Sequence, residues 1–269
     1  MTEILDIHHH IGPRERLTGE HVEYDFKAAL EKHVRTMDEF GVAHACLIAS
    51  HNARITSVQD VRWLNTQVAE ARNSQPDRFV AAAGTVDPAL GDAGIEEIDY
   101  CIGELQLNAL AWHTWFSGVF VDSPSIRRYV KHVASLGKPV FLHMIAEHQS
   151  EAPWRVAHLA EQIPEVQIIA LDAFTSVDQS QWIVEMGGKI PNVTFDLSLA
   201  RGGSSGVIEQ FVQRYGAERL VFGSDYYDDT RTRFPGGLFE ARTADISNAD
   251  REMILSTNAR RLLGIEAAS

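Results

Sequence analysis

The apolar residues of this chain fall into two alternating kinds of segment. Short continuous runs, such as Val140-Phe141-Leu142, are typical of strands buried on both faces of a parallel sheet. Between these runs, apolar side chains recur about every 3.6 residues, which predicts helices with one buried face. The segment 25–40 shows this spacing at Phe26, Leu30, Val34, Met37 and Phe40. The chain therefore predicts a repeated strand–helix unit.

Eight such units can be placed along the 269 residues. Strands are predicted at residues 4–10, 42–49, 79–86, 107–112, 140–143, 166–171, 193–197 and 220–222. Helices are predicted at residues 25–40, 58–74, 93–103, 124–136, 153–162, 178–186, 205–215 and 247–263. Eight units in a chain of this length fit a (β/α)8 TIM barrel, with a doubly wound open sheet as the alternative. No linker interrupts the pattern, so a single domain over residues 1–269 is expected.

Composition and charge narrow the range of partners. The formal net charge of −13 disfavours nucleic acid and anionic membranes, while a small-molecule substrate stays compatible with it. No apolar run reaches the roughly 18 residues of a membrane span, and the N-terminus lacks the features of a signal peptide. Cys46 and Cys101 are far apart and read as reduced buried thiols, which favours a cytoplasmic location.

Histidines and carboxylates stand at the ends of several predicted strands. Side chains alternate along a strand, so Asp6, His8 and His10 are expected on one face, with His9 on the other. His143 ends strand five, and Asp225 follows strand eight. Functional residues of a barrel collect at the C-terminal ends of its strands. Three imidazoles and a carboxylate there suit Zn²⁺, or less specifically Mn²⁺ or Fe²⁺.

At this point the chain resembles the amidohydrolase superfamily, in its amidohydrolase-2 branch of metal-dependent hydrolases and decarboxylases. The resemblance runs from end to end. It is carried by the segments Asp6-Ile7-His8-His9-His10, Pro76-Asp77-Arg78-Phe79-Val80 with Val86-Asp87-Pro88, Gly137-Lys138-Pro139-Val140-Phe141-Leu142-His143, Arg219-Leu220-Val221-Phe222-Gly223-Ser224-Asp225 and Asn258-Ala259-Arg260-Arg261-Leu262-Leu263-Gly264. The first and fourth are the most specific.

The resemblance implies that His8, His10, His143 and Asp225 surround one catalytic metal ion, for which Zn²⁺ is favoured. Binuclear members bridge two ions with a lysine or glutamate on strand four or five. Here Lys138 and Glu104 precede those strands, at the wrong end of the barrel. One divalent ion is therefore predicted. Dimers are common in the family, which leaves a homodimer open.

Strand six departs from the family pattern. The family usually carries a histidine at its end, where this chain has Asp172 or, as the less favoured alternative, Leu171. Asp172 could serve as a base or hydrogen-bond acceptor, but as an acid at neutral pH only if its pKa is raised. His113, His148 and His51 are candidate substitutes, although a pocket-wall role is expected for each.

Loops after the strands are expected to select the substrate. Trp112 and His113, followed by Trp115 and Phe116, predict an aromatic wall. An arginine suits a carboxylated substrate, and Arg201 after strand seven is the preferred anchor. Arg231 and Arg233, in the segment after Asp225, are further candidates for this anchor. Tyr226 is also expected to contact the substrate.

Three functions compete on this basis. The first is hydrolysis of an ester, lactone or amide, with Asp225 as general base and acid and Asp172 as a second catalytic residue. The second is metal-dependent decarboxylation of an aromatic or unsaturated acid. The third is a degenerate barrel that binds a small molecule without catalysis. The missing strand-six histidine favours hydrolysis.

Overall fold

The computed structural model describes residues 3–15, 23–200, 205–228 and 235–265. Eight parallel strands form one sheet in chain order. They are β1 (Leu5–Ile11), β2 (His44–Ala49), β3 (Phe79–Gly84), β4 (Ala109–Trp112), β5 (Val140–His143), β6 (Ile168–Leu171), β7 (Val193–Asp196) and β8 (Leu220–Val221). Backbone hydrogen bonds from Ile7 to Phe222 (3.0 Å) and from His10 to Tyr226 (2.9 Å) join the last strand to the first. The predicted (β/α)8 barrel is confirmed.

The helices that follow the strands pack around this barrel. Their bounds are α1 (Phe26–Phe40), α2 (Val58–Ser74), α3 (Asp92–Gly103), α4 (Thr114–Ser117), α5 (Pro124–Ser135), α6 (Pro153–Gln162), α7 (Val177–Met186), α8 (Ser205–Tyr215), α9 (Gly236–Thr243), α10 (Asn248–Glu252) and α11 (Asn258–Leu263). One π-helical stretch, Met253–Thr257, joins α10 to α11 into the continuous last helix that the sequence predicts. The short helices α4 and α9 were not predicted.

Local sequence fixes where the helices begin. Asp25 and Ser57 accept hydrogen bonds from backbone amides of the first turns of α1 and α2. Ser123 does the same for α5, whose first residue is Pro124. Gly41 ends α1 in the left-handed conformation, with φ of 70°. The segments between a strand and the capped helix that follows it, such as residues 50–57 after β2, lie at the C-terminal end of the barrel.

The core has two layers. Mostly small and branched residues fill the barrel interior, among them Leu5, Ile7, Ala81 and Ala111, together with the ring of Phe141. A larger layer lies between the strands and the helices and includes Trp112, Phe195 and Phe222. Because the interior is packed with side chains, the polar residues concentrate at the C-terminal end of the barrel. No helix among the described residues has the length and apolar character needed to cross a membrane.

Candidate metal centre and active site

The first strand divides its histidines between two environments. The pairing of β1 with β2 shifts register between Asp6 and His9, so strict alternation fails there. His8 and His10 face the cluster at the barrel mouth, as predicted. His9 lies on the other side, where its Nε2 is 2.8 Å from Oδ2 of Asp6 and its Nδ1 is 3.0 Å from Nδ1 of His33. The prediction that Asp6 shares the face of His8 and His10 is wrong, because the bulge turns its carboxylate toward His9.

Three imidazoles from β1 and β5 converge at the barrel mouth. One ring nitrogen each of His8, His10 and His143 lies within 4.8 Å of the others. The Nε2 atoms of His8 and His10 are 2.8 Å apart. Oδ1 of Asp225 lies 3.6 Å from both of them. All four residues are buried.

This donor set fits a divalent cation. Two imidazole nitrogens at 2.8 Å cannot both carry a proton pointing at the other, so either one proton or one cation lies between them. Three imidazoles with a carboxylate form a set that borderline divalent ions accept. Nδ1 of His143 donates to the carbonyl of Trp112 at 3.2 Å, which leaves its Nε2 for the cluster. The positions therefore agree with the predicted ligand set, and the ligand roles themselves stay a prediction.

Burial and nearby charges shift the pKa values of the three imidazoles in different directions. Burial lowers the pKa of His10 and of His143 well below the ordinary value, and the neighbouring histidines lower it further. Burial also disfavours the charged form of His8, but the hydrogen bond and charge of Asp196 outweigh it and raise that pKa to about 9. His10 and His143 are therefore neutral at pH 7 and offer lone pairs. A cation that binds His8 would displace its proton.

A buried chain of polar groups links three strand ends behind His8. Nδ1 of His8 donates to Oδ2 of Asp196 at 2.7 Å, and the hydroxyl of Ser198 lies 2.5 Å from the same oxygen. The Ser198 hydroxyl also lies 2.9 Å from Oδ1 of Asp172. Asp196 and Ser198 were not predicted. Asp196 ends β7 just as His143 ends β5, so a search of all strand ends for carboxylates would have found it.

Asp172 stands at the predicted place on strand six. It adopts φ of 58°, a conformation rare for residues other than glycine, asparagine and aspartate, and its Oδ2 lies 3.9 Å from Nε2 of His143. Burial raises the pKa of Asp172, although the charge of His8 opposes the rise. Asp225 shares the unusual backbone, with φ of 53°. Such conformations persist where the surrounding structure enforces them, and they are frequent at active sites.

His113 lies beside the cluster, held by a glutamate that the sequence analysis missed. Its ring stacks on that of His143, with centroids 4.0 Å apart and 14° between the planes. Its Nδ1 donates to Oε1 of Glu151 at 2.9 Å, and Nδ1 of His148 lies 3.3 Å from Oε2. Glu151 is fully buried, and burial raises its pKa less than its donors lower it. One ring of the predicted aromatic wall, Trp115, stacks on His148.

The first ring of that wall, Trp112, points elsewhere. Trp112 packs against Tyr129 between sheet and helices, and its Nε1 donates to the carbonyl of Val86 at 2.8 Å. Outward residues of a strand face the helix layer, and in β4 Ala111 faces the interior instead. This position does not suit the predicted contact with substrate.

Of the two tyrosines after Asp225, the one predicted to contact substrate does not face the cluster. Tyr226 packs against His9 and His33, behind the barrel wall, and its hydroxyl accepts from Thr36 at 3.1 Å. Tyr227 is the one that faces the cluster, stacked on His10 at 4.4 Å. Successive residues of an extended chain point to opposite sides, which is why Tyr227 faces the cluster and Tyr226 does not.

An arginine that the sequence analysis did not select lies over this tyrosine. The guanidinium of Arg14 is 4.4 Å from the centre of the Tyr227 ring. Its positive charge contributes to the lowered pKa of His10. Arg201, Arg231 and Arg233 lie outside the described residues. Arg14 follows β1 within four residues, so the strand-end rule could have found it.

Comparison with known proteins gives the family. A sequence model of the amidohydrolase family matches residues 5–265. The chain belongs to the amidohydrolase family. The resemblance identified from the sequence motifs is thereby confirmed. No curated protein sequence matches significantly.

Solved structures with the same fold include decarboxylases and a hydrolase. The 5-carboxyvanillate decarboxylase of Sphingomonas paucimobilis shares 15% identity, with 99% of this chain and 100% of that chain covered and a TM-score of 0.75. A dihydroxybenzoic acid decarboxylase of Polaromonas sp. JS666, with bound manganese and 2-nitroresorcinol, shares 17%, covering 100% and 98%, at 0.67. The probable 2-pyrone-4,6-dicarboxylic acid hydrolase of Acinetobacter baumannii shares 15%, covering 98% and 100%, at 0.68. At these identities the likeness concerns the fold.

Proposed function

We propose that this protein is a metal-dependent decarboxylase of a small aromatic or unsaturated carboxylic acid. The observation that carries the proposal is the cluster itself, in which His8, His10, His143 and Asp225 converge while Asp172 stands against His143. Most of the similar structures named for an activity are decarboxylases, including those of dihydroxybenzoate and carboxyvanillate. They favour decarboxylation over hydrolysis, which the sequence analysis had placed first.

The proposed ligands are His8, His10, His143 and Asp225, and the ion is Zn²⁺ or Mn²⁺. Manganese is bound in two of the similar decarboxylases. A bound divalent ion would supply Lewis acidity and orient a substrate carboxylate or phenolate. The remaining chemistry belongs to side chains that the fold places around it.

Decarboxylation breaks a carbon–carbon bond, and the carbon that loses CO₂ must receive a proton. Asp172 is the proposed donor, because its carboxyl group lies at the inner wall of the cluster and is buried. Its raised pKa favours the protonated form that this role needs. The Ser198 hydroxyl, 2.9 Å away, fixes one of the two carboxyl oxygens and leaves the other toward His143. Solvent then restores the proton after each turnover.

Substrate would lie between two stacked walls of the pocket. His113, stacked on His143, forms one wall, and Tyr227, stacked on His10, forms the other. A flat unsaturated ring suits such walls, because aromatic faces favour offset stacking. Arg14 over Tyr227 gives a cation for a second acidic group of the substrate.

Hydrolysis of a lactone is the second candidate. It is favoured by the position of Asp225, whose Oδ1 lies 3.6 Å from two imidazoles and could take the proton of an attacking water. The probable pyrone-dicarboxylic acid hydrolase has the same fold. Both candidates use a small carboxylated substrate, so product analysis separates them.

The test is a product assay on metal-loaded protein. Protein stripped with a chelator and reloaded with Zn²⁺ or Mn²⁺ is given 2,6-dihydroxybenzoate, 5-carboxyvanillate and 2-pyrone-4,6-dicarboxylate. We expect metal-dependent CO₂ release from an aromatic acid, with His10→Gln inactive and His9→Gln active. A ring-opened acid without CO₂ would establish the hydrolase instead. Binding without turnover across an extended panel of both classes would leave the non-catalytic barrel.

A further inference from the structure

The three candidate metal-binding imidazoles are supported from behind in three different ways. Nδ1 of His8 donates to the carboxylate of Asp196 at 2.7 Å. Nδ1 of His143 faces a backbone carbonyl, that of Trp112, at 3.2 Å. Nδ1 of His10 has no hydrogen-bond partner within the described part of the chain. A charged acceptor therefore supports His8 alone among these three.

Both carboxylate oxygens of Asp196 are fixed by neighbouring polar groups. Its Oδ1 accepts from the backbone N–H of Ser198 at 2.8 Å, and its Oδ2 receives His8 and lies against the Ser198 hydroxyl. Asp196, His8 and Ser198 are all fully buried. A carboxylate in this position is costly to bury unless its partners compensate it. Here His8, whose Nε2 faces the cluster, is one of the partners that compensate the buried Asp196 carboxylate.

Gly223 makes the approach of β7 to β1 sterically feasible. A Cβ at this position would lie 2.6 Å from Cβ of His8 and would also collide with Asp196. Real contacts of this kind are not shorter than about 3.0 Å, so a side chain here would separate the pair. The absence of a side chain at Gly223 thus allows His8 and Asp196, on two other strands, to come into contact.

We propose that Asp196 is the positioning residue of the metal centre, acting through His8. The inference rests on the proposed function, since it takes His8 as a ligand. The carboxylate keeps the proton of the neutral imidazole on Nδ1, so the lone pair of Nε2 points at the ion. It also makes that nitrogen a stronger donor, as carboxylates behind metal-binding histidines generally do. In this assignment Asp196 is not a ligand, because it lies behind the His8 ring, at Nδ1 rather than at Nε2.

The experiment compares the metal affinity of wild-type protein with that of Asp196→Asn. The asparagine keeps the size of the side chain but removes its charge. Affinity for Zn²⁺ is measured at pH 7 by competition with a chromophoric chelator. Asp122→Asn is the matched control, because Asp122 accepts from Nδ1 of His158 at 3.0 Å in the same manner, away from the cluster. We expect about a 10- to 100-fold loss of affinity in Asp196→Asn and less than about a twofold change in the control.

A second measurement needs no variant and therefore survives misfolding of Asp196→Asn. In Zn²⁺-loaded wild-type protein, the ¹⁵N shifts of His8 should show a proton on Nδ1 and none on Nε2. The opposite tautomer overturns the inference, as does unchanged affinity in a folded Asp196→Asn. In both cases the proposed function survives, since wild-type protein binds the metal. Wild-type protein that takes up no divalent ion overturns the proposed function and this inference together.

Discussion

His9 and Asp6 form a buried pair at 2.8 Å on the face of β1 that turns away from His8 and His10. One tripeptide thus supplies two side chains to the candidate metal centre and one to the packing between β1 and α1. Because all three histidines are buried, burial alone does not tell them apart. Their partners do.

Replacement of His9 separates these two roles. His9→Gln should leave the affinity for Zn²⁺ within about twofold, whereas His10→Gln should lower it by at least about tenfold. His9→Gln should also reduce the free energy of unfolding by about 1–3 kcal/mol, because Asp6 loses a buried partner. Chelator competition and urea unfolding of the metal-free proteins measure the two effects. Equal loss of metal affinity in both variants would contradict the division of the strand.

In the hydrolytic candidate, Asp225 is predicted to act as general base in the reaction as well as in metal binding. Asp225→Asn should lower turnover by roughly 10²–10⁴-fold, while part of the metal stays bound through the three imidazoles. Metal content by atomic spectroscopy and turnover under saturating Zn²⁺ are compared on one preparation. Near-normal turnover would refute the role.

Asp172 should make the free energy of unfolding depend on pH, and its raised pKa sets the direction. The folded state holds this proton more tightly than the unfolded state does, so the contribution to stability is complete below the ordinary value of 3.8 and is lost as the pH rises through the folded pKa. Asp172→Asn does not titrate. In metal-free protein, its free energy of unfolding should therefore fall less between pH 4 and pH 8 than that of the wild type. Parallel curves for the two proteins would show that Asp172 does not hold the proton.

The contribution of Glu151 to stability should depend on pH in the opposite direction to that of Asp172. Hydrogen bonds from His113, His148 and the amide of Trp115 outweigh burial and lower its pKa. Its contribution to stability is therefore present above the ordinary value of 4.5 and is lost as the pH falls through the folded pKa. Glu151→Gln should cost about 1–3 kcal/mol at pH 7. The difference from wild type should shrink in acid, as urea unfolding at several pH values would reveal.

Arg14 and Arg201 offer two alternative anchors for an acidic substrate. Arg14→Ala should raise KM for the carboxylated substrate by at least about tenfold and change kcat less, since a lost charged hydrogen bond costs about 1.5–3 kcal/mol. Arg62→Ala is the control, because Arg62 pairs with Glu97 away from the cluster. If Arg201→Ala raises KM and Arg14→Ala does not, the anchor predicted from the sequence is the correct one.

The sequence predicted the repeated elements because their signals are local. Apolar runs of three and four residues gave β5 and β6, and the helices predicted to start at residues 58 and 124 do start there, where the structure shows Ser57 and Ser123 as caps. The same strand ends carried His143 and Asp225 to the barrel mouth. Chain order alone is enough for this, since parallel strands in sequence order bring all their C-terminal ends to one side.

Side-chain direction needed the tertiary structure. Asp6 and His8 were assigned to one face by alternation, which a register shift in β1 overrides. Tyr226 was chosen where Tyr227 faces the cluster, because a one-residue step in the chain reverses the side. Trp112 likewise faces the helices.

By itself, the sequence determined the barrel, its family and the strand ends at which the four proposed ligands stand. Only the tertiary structure decided what supports them. Asp196 meets His8 across 188 positions of the chain, and Glu151 holds His113 across 38. Contacts of this kind depend on how neighbouring strands and loops approach each other, within a few tenths of an ångström, and no local pattern of residues encodes that distance. The chemistry of this site therefore depends on partners that become visible only when the barrel closes.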